Sequence, residues 1–427
     1  MHIALVGHIA GNDVKKYLDA SVVPVPDGYA GAPLTGIIIG ELLRLGHRVT
    51  GITTDGTLPL AGGTVRLEGP GFTFLVCPAR RRAWRPNGWN LGRAVDFFSR
   101  ERRLITQAIV ESAPDIVHAH WTYEFSLAAL DQSAPHLITC HDSPVAVLRF
   151  TRSFYRALRY LMALRVFNLG REFTTVSDYM ASKLEPEIGH FPEVIPNPVS
   201  TLAIILGRVR AAGTSRRVAM VCNGWDRLKN PEPALKGFAI WRSKEITAEL
   251  HLFGADFGPN GAAQLWAKAN CLTAGIFFHG SKLHHDLLNE LVGMDALLHT
   301  SLEESFGVVL AEAMALGLPV VAGRYSGAVP WVMGADNEGR CAAGVLTDVR
   351  SPQAIAFALK KIFDSEYEKR SLAGFERARD NFSPTIVTKR YEARYKEILC
   401  QSNKLTLNLC GLNSDTANTE RSKVERI

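Results

Sequence analysis

At 427 residues the chain is too long for one ordinary hydrophobic core and is typical of two domains. Hydrophobic residues make up 47% and charged residues 21%, as in soluble globular proteins, and no stretch approaches the roughly 18 uninterrupted apolar residues of a membrane span. The net charge of +6 would suit a phosphorylated ligand, an anionic lipid or a nucleic acid, so its sign excludes none of these.

The start of the chain and its cysteines bear on the compartment. Met1 leads directly into an apolar strand pattern, without the basic region and cleavage site of a signal peptide. We therefore expect a cytoplasmic protein, or one that is also peripheral at the inner face of the membrane. The seven cysteines are scattered and are never spaced as zinc ligands or as a redox pair, so we expect neither disulfides nor a structural metal.

Short apolar runs alternate with helical patterns along the whole chain, as in βαβ units around parallel sheets. Residues 1–198 are predicted to form a first Rossmann-like domain. Its predicted strands are Ile3–Gly7, Arg48–Thr53, Phe72–Cys77, Asp115–Ala119, His136–Cys140, Phe173–Val176 and Val194–Ile195. Its predicted helices include Thr35–Leu45, Gly92–Ser112 and Val145–Asn168.

Several residues at the predicted strand ends of this half are candidates for a site. In addition, the glycines of the loop 28–33, which leads into a predicted helix, allow the backbone to approach a ligand closely. His118 and His120 alternate on one strand and should point to the same face, either at a site or as satisfied core histidines. His141 and Asp142 follow the neighbouring strand. No G-x-G-x-x-G follows the first strand, which argues against a dehydrogenase.

Two stretches, 80–85 and 149–171, combine arginines with aromatic side chains. Either would suit an anionic acceptor or a lipid headgroup surface. Solvated loop and helix faces would have the same composition, because arginine stems cover apolar surface well.

The strand and helix pattern breaks at the prolines near residue 197, which predicts a linker at 199–215. A second Rossmann-like domain is predicted over 216–381, followed by a closing helix at 382–400. Because the composition then becomes polar, 401–427 is predicted to be a disordered tail. The predicted strands of the second domain are Arg217–Cys222, Leu250–Phe253, Ile276–His279, Ala296–His299, Pro319–Ala322 and Gly344–Leu346.

A basic loop follows the first strand of the second half. Its Lys229 can neutralise phosphate charge that would be costly to bury alone. A solvated basic turn would have the same sequence.

The strongest signal is the stretch 300–321, in which a strand ends, a loop containing Gly307 turns into a helix, and a new strand follows. Free N–H groups at the helix start favour an anion such as a pyrophosphate. Glu304 precedes the helix at the carboxyl end of a strand, where ligands of open α/β sheets bind, and Glu312 follows inside the helix. A capping role for Glu304 and an ordinary helical role for Glu312 would fit the spacing equally well.

The run E-S-F-G-V-V-L-A-E-A-M-A-L-G-L-P-V-V from Glu304 resembles the signature of retaining GT-B glycosyltransferases of family four, the glycosyl transferases group 1. The resemblance extends over nearly the whole chain before Gln401. It implies an α/β GT-B fold, with two doubly wound Rossmann-like domains facing across a cleft. The first domain would supply the acceptor side, and the second would bind the nucleotide sugar.

The resemblance also implies roles for individual residues. Glu304 would bind hydroxyls of the donor sugar, Glu312 would hold the ribose, and His120 would lie beside the reacting centre. Lys229 would hold the diphosphate. Main-chain contacts to the donor would come from Ser305, Phe306, Gly307 and Val308.

The basic loop departs from the family pattern at one position. Similar transferases carry an arginine directly after the glycine, but here Trp225 follows Gly224. We expect Arg227 to replace that arginine in holding the phosphates. The cleft wall on the acceptor side would include Gly31, His118, His141 and Asp142.

The resemblance implies retaining, metal-independent transfer of a sugar from a nucleoside-diphosphate sugar, with a UDP-sugar favoured. The acceptor would be a sugar, a lipid-linked molecule or a small molecule in carbohydrate biosynthesis, with no nucleic-acid partner and with peripheral membrane contact as an option. No Asp-x-Asp occurs in the sequence, and we expect neither a metal nor another cofactor. The alternatives are another GT-B sugar enzyme, an epimerase or a phosphorylase, and a non-catalytic sugar-nucleotide-binding protein.

Overall fold

The computed structural model describes residues 1–21, 24–211 and 213–403. Most of the predicted tail, 404–427, lies outside the described residues, and its first three residues, 401–403, are helical. The described residues contain two β-sheets with helices between their strands, which confirms the predicted α/β class.

The first sheet has eight strands in the order β3-β4-β2-β1-β5-β6-β7-β8. The strands are β1 His2–Val6, β2 Arg48–Asp55, β3 Val65–Gly69, β4 Phe72–Pro78, β5 Ile116–His120, β6 His136–Cys140, β7 Phe173–Thr175 and β8 Glu193–Val194. β1 lies between β2 and β5 and pairs with both in parallel, and it is almost completely buried. A parallel strand that is covered on both faces consists of apolar residues without alternation, as β1 does.

The edge strand β3 was not predicted from the sequence. It pairs antiparallel with β4, and the two residues Pro70 and Gly71 (φ +72°) connect the two strands. Every residue of β3 is exposed or half-buried. Because the strand is not buried, its sequence VRLEG can include charged residues and lacks the apolar run by which the buried strands were predicted.

The second sheet has six strands, all paired in parallel, in the order β11-β10-β9-β12-β13-β14. The strands are β9 Arg217–Val221, β10 Glu249–Phe253, β11 Ile276–Gly280, β12 Ala296–His299, β13 Val320–Gly323 and β14 Gly344–Thr347. Counted within this sheet, the order is 3-2-1-4-5-6, which is the order of a Rossmann fold. Its core includes Val218, Leu250 and Leu298 from the strands and Phe238 and Trp241 from a covering helix.

The helices that cover the sheets are mostly short. They are α1 Gly11–Val14, α2 Pro33–Arg44, α3 Ser99–Ser112, α4 Glu124–Leu130, α5 Pro144–Thr151, α6 Phe154–Leu169, α7 Asp178–Ile188, α8 Thr201–Leu206, α9 Pro231–Arg242, α10 Ala262–Ala269, α11 His284–Val292, α12 Val308–Ala315, α13 Val329–Val332, α14 Pro352–Ile362, α15 Tyr367–Phe382 and α16 over 384–403.

Two helix predictions in the first half were wrong at their bounds. The helix predicted over Val145–Asn168 is two helices, because Arg152 takes a left-handed conformation (φ +44°) and ends α5. The helix predicted from Gly92 begins only at Ser99, since the two residues before it, Phe97 and Phe98, also have positive φ.

The contacts divide the described chain into two compact units. The first comprises Met1–Thr139, Ala157–Phe173 and the chain from Thr388 onward, and the second comprises Cys140–Arg156 and Thr174–Val387. In the first unit α16 buries Tyr391 and Tyr395. The segment predicted as a linker contains α8. The predicted domain bounds stay predictions.

Candidate functional site

The strand order of the second unit defines where a ligand would bind. β9 and β12 are neighbours, but the chain leaves them toward opposite sides of the sheet, since β10 lies beyond β9 and β13 beyond β12. Ligands of open α/β sheets bind beyond the carboxyl ends of the strands at such a switch point. Lys229 follows β9, and Glu304 follows β12, so both lie at this place.

The loop from β9 to α9 is fixed by its own polar groups. Gly224 has φ +98°, which favours glycine, and the Asp226 carboxylate accepts a hydrogen bond of 2.9 Å from the Lys229 backbone N–H. Asn230, also left-handed, donates from Nδ2 to the carbonyl oxygens of Thr300 (3.3 Å) and Val349 (2.8 Å). The loop is thereby attached to the end of β12.

Glu304 and Lys229 form an ion pair at this position. Lys229 Nζ lies 2.9 Å from Glu304 Oε1, and His299 Nε2 lies 3.4 Å from the same oxygen. Burial opposes ionisation of Glu304, but the interactions with His299 and Lys229 prevail and hold the pKa of the carboxyl well below its usual range. The pKa of Lys229 is raised, since the charge of Glu304 outweighs the effect of burial. Both side chains are therefore charged near neutral pH.

The helix α12 starts directly beyond Glu304. Gly307 is its N-cap, with φ +82°, and no side chain caps the helix start. Phe306 is buried with its ring 6.3 Å from that of Trp331, while Ser305, Gly307 and Val308 remain half-buried. The Ser305 carbonyl accepts a hydrogen bond of 2.6 Å from Ser177. The first N–H groups of α12 have no acceptor within the helix and can bind an anion.

Glu312 has a partner that the sequence did not suggest. It is buried on α12, and His284 Nε2, from the first residue of α11, lies 2.7 Å from Glu312 Oε1. The partner lies 28 residues away, and no motif links the two. The contact orients the carboxylate of Glu312, which lies in the middle of α12.

Arg227 is exposed in the same loop as Lys229, and Trp225 packs against Phe257 and Trp266. Trp225, at the position where similar transferases carry arginine, is thus turned toward apolar neighbours of its own unit. The role of Arg227 as a phosphate ligand stays a prediction.

In the first unit β1 and β5 form the corresponding switch point, because β2 lies beyond β1 and β6 beyond β5. His118 and His120 lie on β5 and are both buried, with ring centroids 4.1 Å apart, which agrees with the predicted common face. The two nitrogens of His118 are hydrogen-bonded in the interior, Nδ1 with Tyr395 Oη (2.6 Å) and Nε2 with Thr139 Oγ1 (2.7 Å). His118 thus has the surroundings of a core histidine.

An aromatic stack at this switch point was missed in the sequence. The His8 ring lies between the rings of Tyr29 and Trp121, with centroids 3.9 and 4.0 Å away. His8 directly follows Gly7 at the end of the first predicted strand, and Trp121 directly follows β5. A search for side chains at the ends of strands could therefore have found both. Gly31 has φ +109°, and nothing lies within 4 Å of where its side chain would be.

His141 and Asp142 follow β6 and belong to the second unit. Burial lowers the pKa of His141 to about 3, although a hydrogen bond with Asn197 acts in the opposite direction. His141 is therefore a neutral imidazole at physiological pH. That His141 and Asp142 contact an acceptor stays a prediction.

Across the described part of the chain, no group of three or more histidine, cysteine, aspartate or glutamate side chains could hold a metal ion. The same residues include no helix that is long and apolar enough to cross a membrane.

Comparison with known proteins covers both halves of the chain. The family described as glycosyl transferases group 1 matches residues 210–378, and Glycosyltransferase Family 4 matches residues 37–201. Among curated relatives, N-acetyl-alpha-D-glucosaminyl L-malate synthase of Bacillus anthracis is 29% identical over 191 residues, which is 43% of this chain and 46% of that protein. The match spans less than half the length of this relative.

Solved structures match over almost the full length. Sucrose-phosphate synthase from Thermosynechococcus elongatus has a TM-score of 0.66 at 17% identity and covers 96% of this chain and 100% of its own. The trehalose-6-phosphate protein from E. coli, bound with UDP-2-fluoro glucose, has a TM-score of 0.66 at 12% identity and covers 93% of this chain and 99% of its own. At these identities the likeness shows the fold alone. Since both halves also match glycosyltransferase families, the chain belongs to the GT-B glycosyltransferases of family four, the glycosyl transferases group 1.

Proposed function

We propose that the protein transfers a sugar from a nucleoside-diphosphate sugar to an acceptor, with retention of the anomeric configuration and without a metal ion. The observation that carries this proposal is the pair of Glu304 and Lys229 at the switch point of the second sheet, next to the uncapped start of α12. The carboxylate can accept hydrogen bonds from the sugar hydroxyls of such a donor. The ammonium and the helix start beside it can bind the negatively charged diphosphate. A UDP-sugar is the favoured donor.

The proposed binding of the donor assigns one group to each of its parts. Ionised Glu304 accepts hydrogen bonds from sugar hydroxyls. Lys229 and the first N–H groups of α12 neutralise the diphosphate, and Arg227 contributes from the exposed part of the loop. Glu312, held by His284, accepts hydrogen bonds from the ribose hydroxyls. Gly224 and Gly307 allow the ligand to approach the backbone closely, because neither residue has a side chain in the way.

The proposed chemistry leaves no task for a protein base. The bond between the anomeric carbon and the phosphate oxygen breaks, and its electron pair leaves with the diphosphate. The acceptor oxygen attacks from the same face and forms the new bond, while its proton passes to a phosphate oxygen of the leaving group. Lys229 and the start of α12 stabilise the charge that develops on the diphosphate, and His120 holds the donor sugar. The acceptor is a sugar, a lipid-linked molecule or a small molecule.

The function is tested by thermal-shift screening with nucleoside diphosphates and their sugars, followed by turnover of the ligands that stabilise the fold. Release of the nucleoside diphosphate only with an acceptor present is expected, and proton NMR of the first product should show the anomeric configuration of the donor. An inverted product would overturn retention. Phosphate-dependent release of a sugar phosphate would identify a phosphorylase instead. Epimerisation of the donor without an acceptor would identify an epimerase, and ligand binding without turnover would indicate a binding protein.

The ribose contact can be tested separately. Glu312→Ala should weaken the binding of the free nucleoside diphosphate by about 1–3 kcal/mol, as expected for the loss of a charged hydrogen-bond partner. Isothermal titration calorimetry measures this directly. Glu290→Ala, which removes from α11 a half-buried carboxylate that pairs with Lys282, is the control and should leave the affinity unchanged. Unchanged affinity in Glu312→Ala would remove Glu312 from the site.

A further inference from the structure

The segment after β4 in the first unit forms an ordered hairpin that the proposed reaction does not use. The backbone N–H groups of Arg93 and Ala94 donate to the carbonyl oxygens of Arg82 (3.1 Å) and Ala83 (2.8 Å). Asn87 adds side-chain bonds to both backbone groups of Arg82 (2.9 and 3.1 Å). We name residues 81–95 the Trp89 hairpin.

The tip of the Trp89 hairpin is a two-residue turn. Asn87 and Asn90 exchange both backbone hydrogen bonds, at 2.8 and 3.2 Å. Gly88 has φ +63°, while Trp89 is not among the residues with positive φ, as in a type II′ turn. The turn leaves the Trp89 side chain fully exposed. A large apolar side chain is therefore held in solvent by a defined backbone.

The base of the hairpin is held by a buried arginine. Arg80 donates to Asp96 through Nη1 (2.8 Å) and Nη2 (2.9 Å), to Glu101 through Nε (3.0 Å) and Nη2 (2.6 Å), and to the Leu91 carbonyl (3.2 Å). The first arginine of the basic stretch is thus structural. The two carboxylates that Arg80 binds, Asp96 and Glu101, lie outside residues 81–95.

The exposed surface of the Trp89 hairpin is both apolar and cationic. Trp84, Trp89 and Leu91 are exposed among the large apolar side chains, and the arginines Arg81, Arg82 and Arg85 are exposed beside them. Residues 81–95 include no acidic side chain. The loop 56–63, which Arg81 Nε contacts through the Gly56 carbonyl at 2.5 Å, carries no charge.

We propose that the Trp89 hairpin docks the protein on the surface of an anionic lipid bilayer. Tryptophan favours the interface between water and lipid, where its ring lies among headgroups and its N–H stays hydrated. Arginines next to it attract anionic headgroups, by roughly fivefold in affinity for each cation near the surface. We favour a bilayer because the exposed surface of the hairpin combines arginines with projecting tryptophan rings and includes no acidic residue. The ordered turn also avoids the entropy cost of fixing the tip on binding.

Vesicle co-sedimentation of the full-length protein tests the proposal. Binding to phosphatidylcholine vesicles with phosphatidylglycerol is expected, with much weaker binding to phosphatidylcholine alone. Trp89→Ser and the double variant Arg82→Gln/Arg85→Gln should each lower the affinity about tenfold or more. Ile246→Ser is the control, since Ile246 is also a largely exposed apolar residue but lies on the second unit, outside the hairpin. Turnover of a soluble acceptor should be the same in all four proteins.

Trp89→Phe provides a second readout that does not depend on loss of binding. This variant should still bind anionic vesicles, while quenching of tryptophan fluorescence by brominated lipid should fall relative to the wild-type protein. Equal affinity of wild-type protein and Trp89→Ser for anionic vesicles would overturn the proposal, as would absence of vesicle binding by the wild-type protein. A concentration-dependent dimer that Trp89→Ser abolishes, without vesicle binding, would instead assign the hairpin to contact between copies.

Discussion

Glu304 combines burial with a negative charge, the two properties that its proposed role in binding the donor sugar needs. It remains ionised although it is largely buried, because the interactions with His299 and Lys229 lower its pKa. Its folded pKa lies below the value of about 4.3 expected for an unfolded chain. Its charge therefore stabilises the fold above that pH, and this contribution is lost as the pH falls. Near neutral pH both carboxylate oxygens only accept hydrogen bonds.

Glu304→Gln keeps the shape of the side chain but removes its charge. We expect kcat/KM to fall about 10- to 100-fold, which corresponds to the roughly 1.5–3 kcal/mol of a charged hydrogen bond. Glu303→Gln is the control, since Glu303 is the adjacent carboxylate and contacts Tyr179 instead of Lys229. Equal losses in the two variants would indicate a general effect of the loop and would contradict a specific role for Glu304.

His141 should not respond to pH in the physiological range. Since burial lowers its folded pKa to about 3, while an unfolded histidine has a pKa of about 6.5, the unfolded chain binds the extra proton first. The stability contributed by neutral His141 is complete above about pH 6.5 and is lost as the pH falls toward 3. NMR titration should show no His141 shift change between pH 5 and 8, with assignment from His141→Asn. A midpoint between those values would refute this environment.

At the residue scale, the sequence identified side chains but not their partners. The alternation of β5 predicted the common face of His118 and His120, because it depends on backbone geometry alone. The hydrogen bond between His118 and Tyr395 joins residues 277 positions apart, and only the packing of α16 brings them together. His284, the partner of Glu312, comes from another helix for the same reason.

At the scale of elements, the loop that carries Glu304 depends on a glycine outside the motif. Gly327, before α13, has φ +63°, and a Cβ there would lie 2.5 Å from the carbonyl oxygen of Glu304. The neighbouring Ala328 N–H donates to that same oxygen at 2.9 Å. The start of α13 thus supports the backbone of Glu304 directly.

Gly327→Ala should therefore disturb both stability and catalysis. Gly339→Ala is a matched control, since Gly339 has φ +74° and nothing within 4 Å of the added Cβ. The control should lose only about 1–2 kcal/mol of the free energy of unfolding, measured with denaturant, because an alanine is strained in the left-handed conformation. Its kcat should not change. Gly327→Ala should lose more stability and also kcat, because Glu304 must shift. An unchanged kcat in Gly327→Ala would show that the loop position is not critical.

The elements that the sequence predicted best are the buried parallel strands. Their bounds agree with the structure within one or two residues, for example at Ala296–His299, because strands covered on both faces are apolar throughout. The break at Arg152 was missed, since an arginine is a good helix former and only its φ reveals the end of α5. The exposed strand β3 carries no comparable apolar signal.

At the scale of the whole molecule, the fold class could be predicted but the order of strands could not. Alternation of strands and helices indicates doubly wound sheets, yet it does not say which strands are neighbours. In the second sheet the order makes β9 and β12 adjacent, and this alone brings Lys229 to Glu304 across 75 positions of sequence. The sequence indicated Lys229 and Glu304 separately, each from its own loop. That the two residues share a site was predicted by the family resemblance and not by their spacing.

The reaction as a whole must stabilise the charge of its leaving group. A departing nucleoside diphosphate carries negative charge, which many enzymes stabilise with a divalent cation. In the proposed site Lys229 has a raised pKa and stays protonated at neutral pH, and the start of α12 adds the positive end of the helix dipole. We therefore expect the initial rate in excess EDTA to stay within about twofold of the rate without a chelator, because fixed protein charges stabilise the leaving group. Lys229→Met should instead lower kcat in the presence or absence of the chelator, whereas Lys244→Met, at an exposed lysine of the same unit, should leave it unchanged. A rate that is abolished by EDTA and restored by Mg²⁺ or Mn²⁺ would show that a cation, rather than Lys229, stabilises the leaving group.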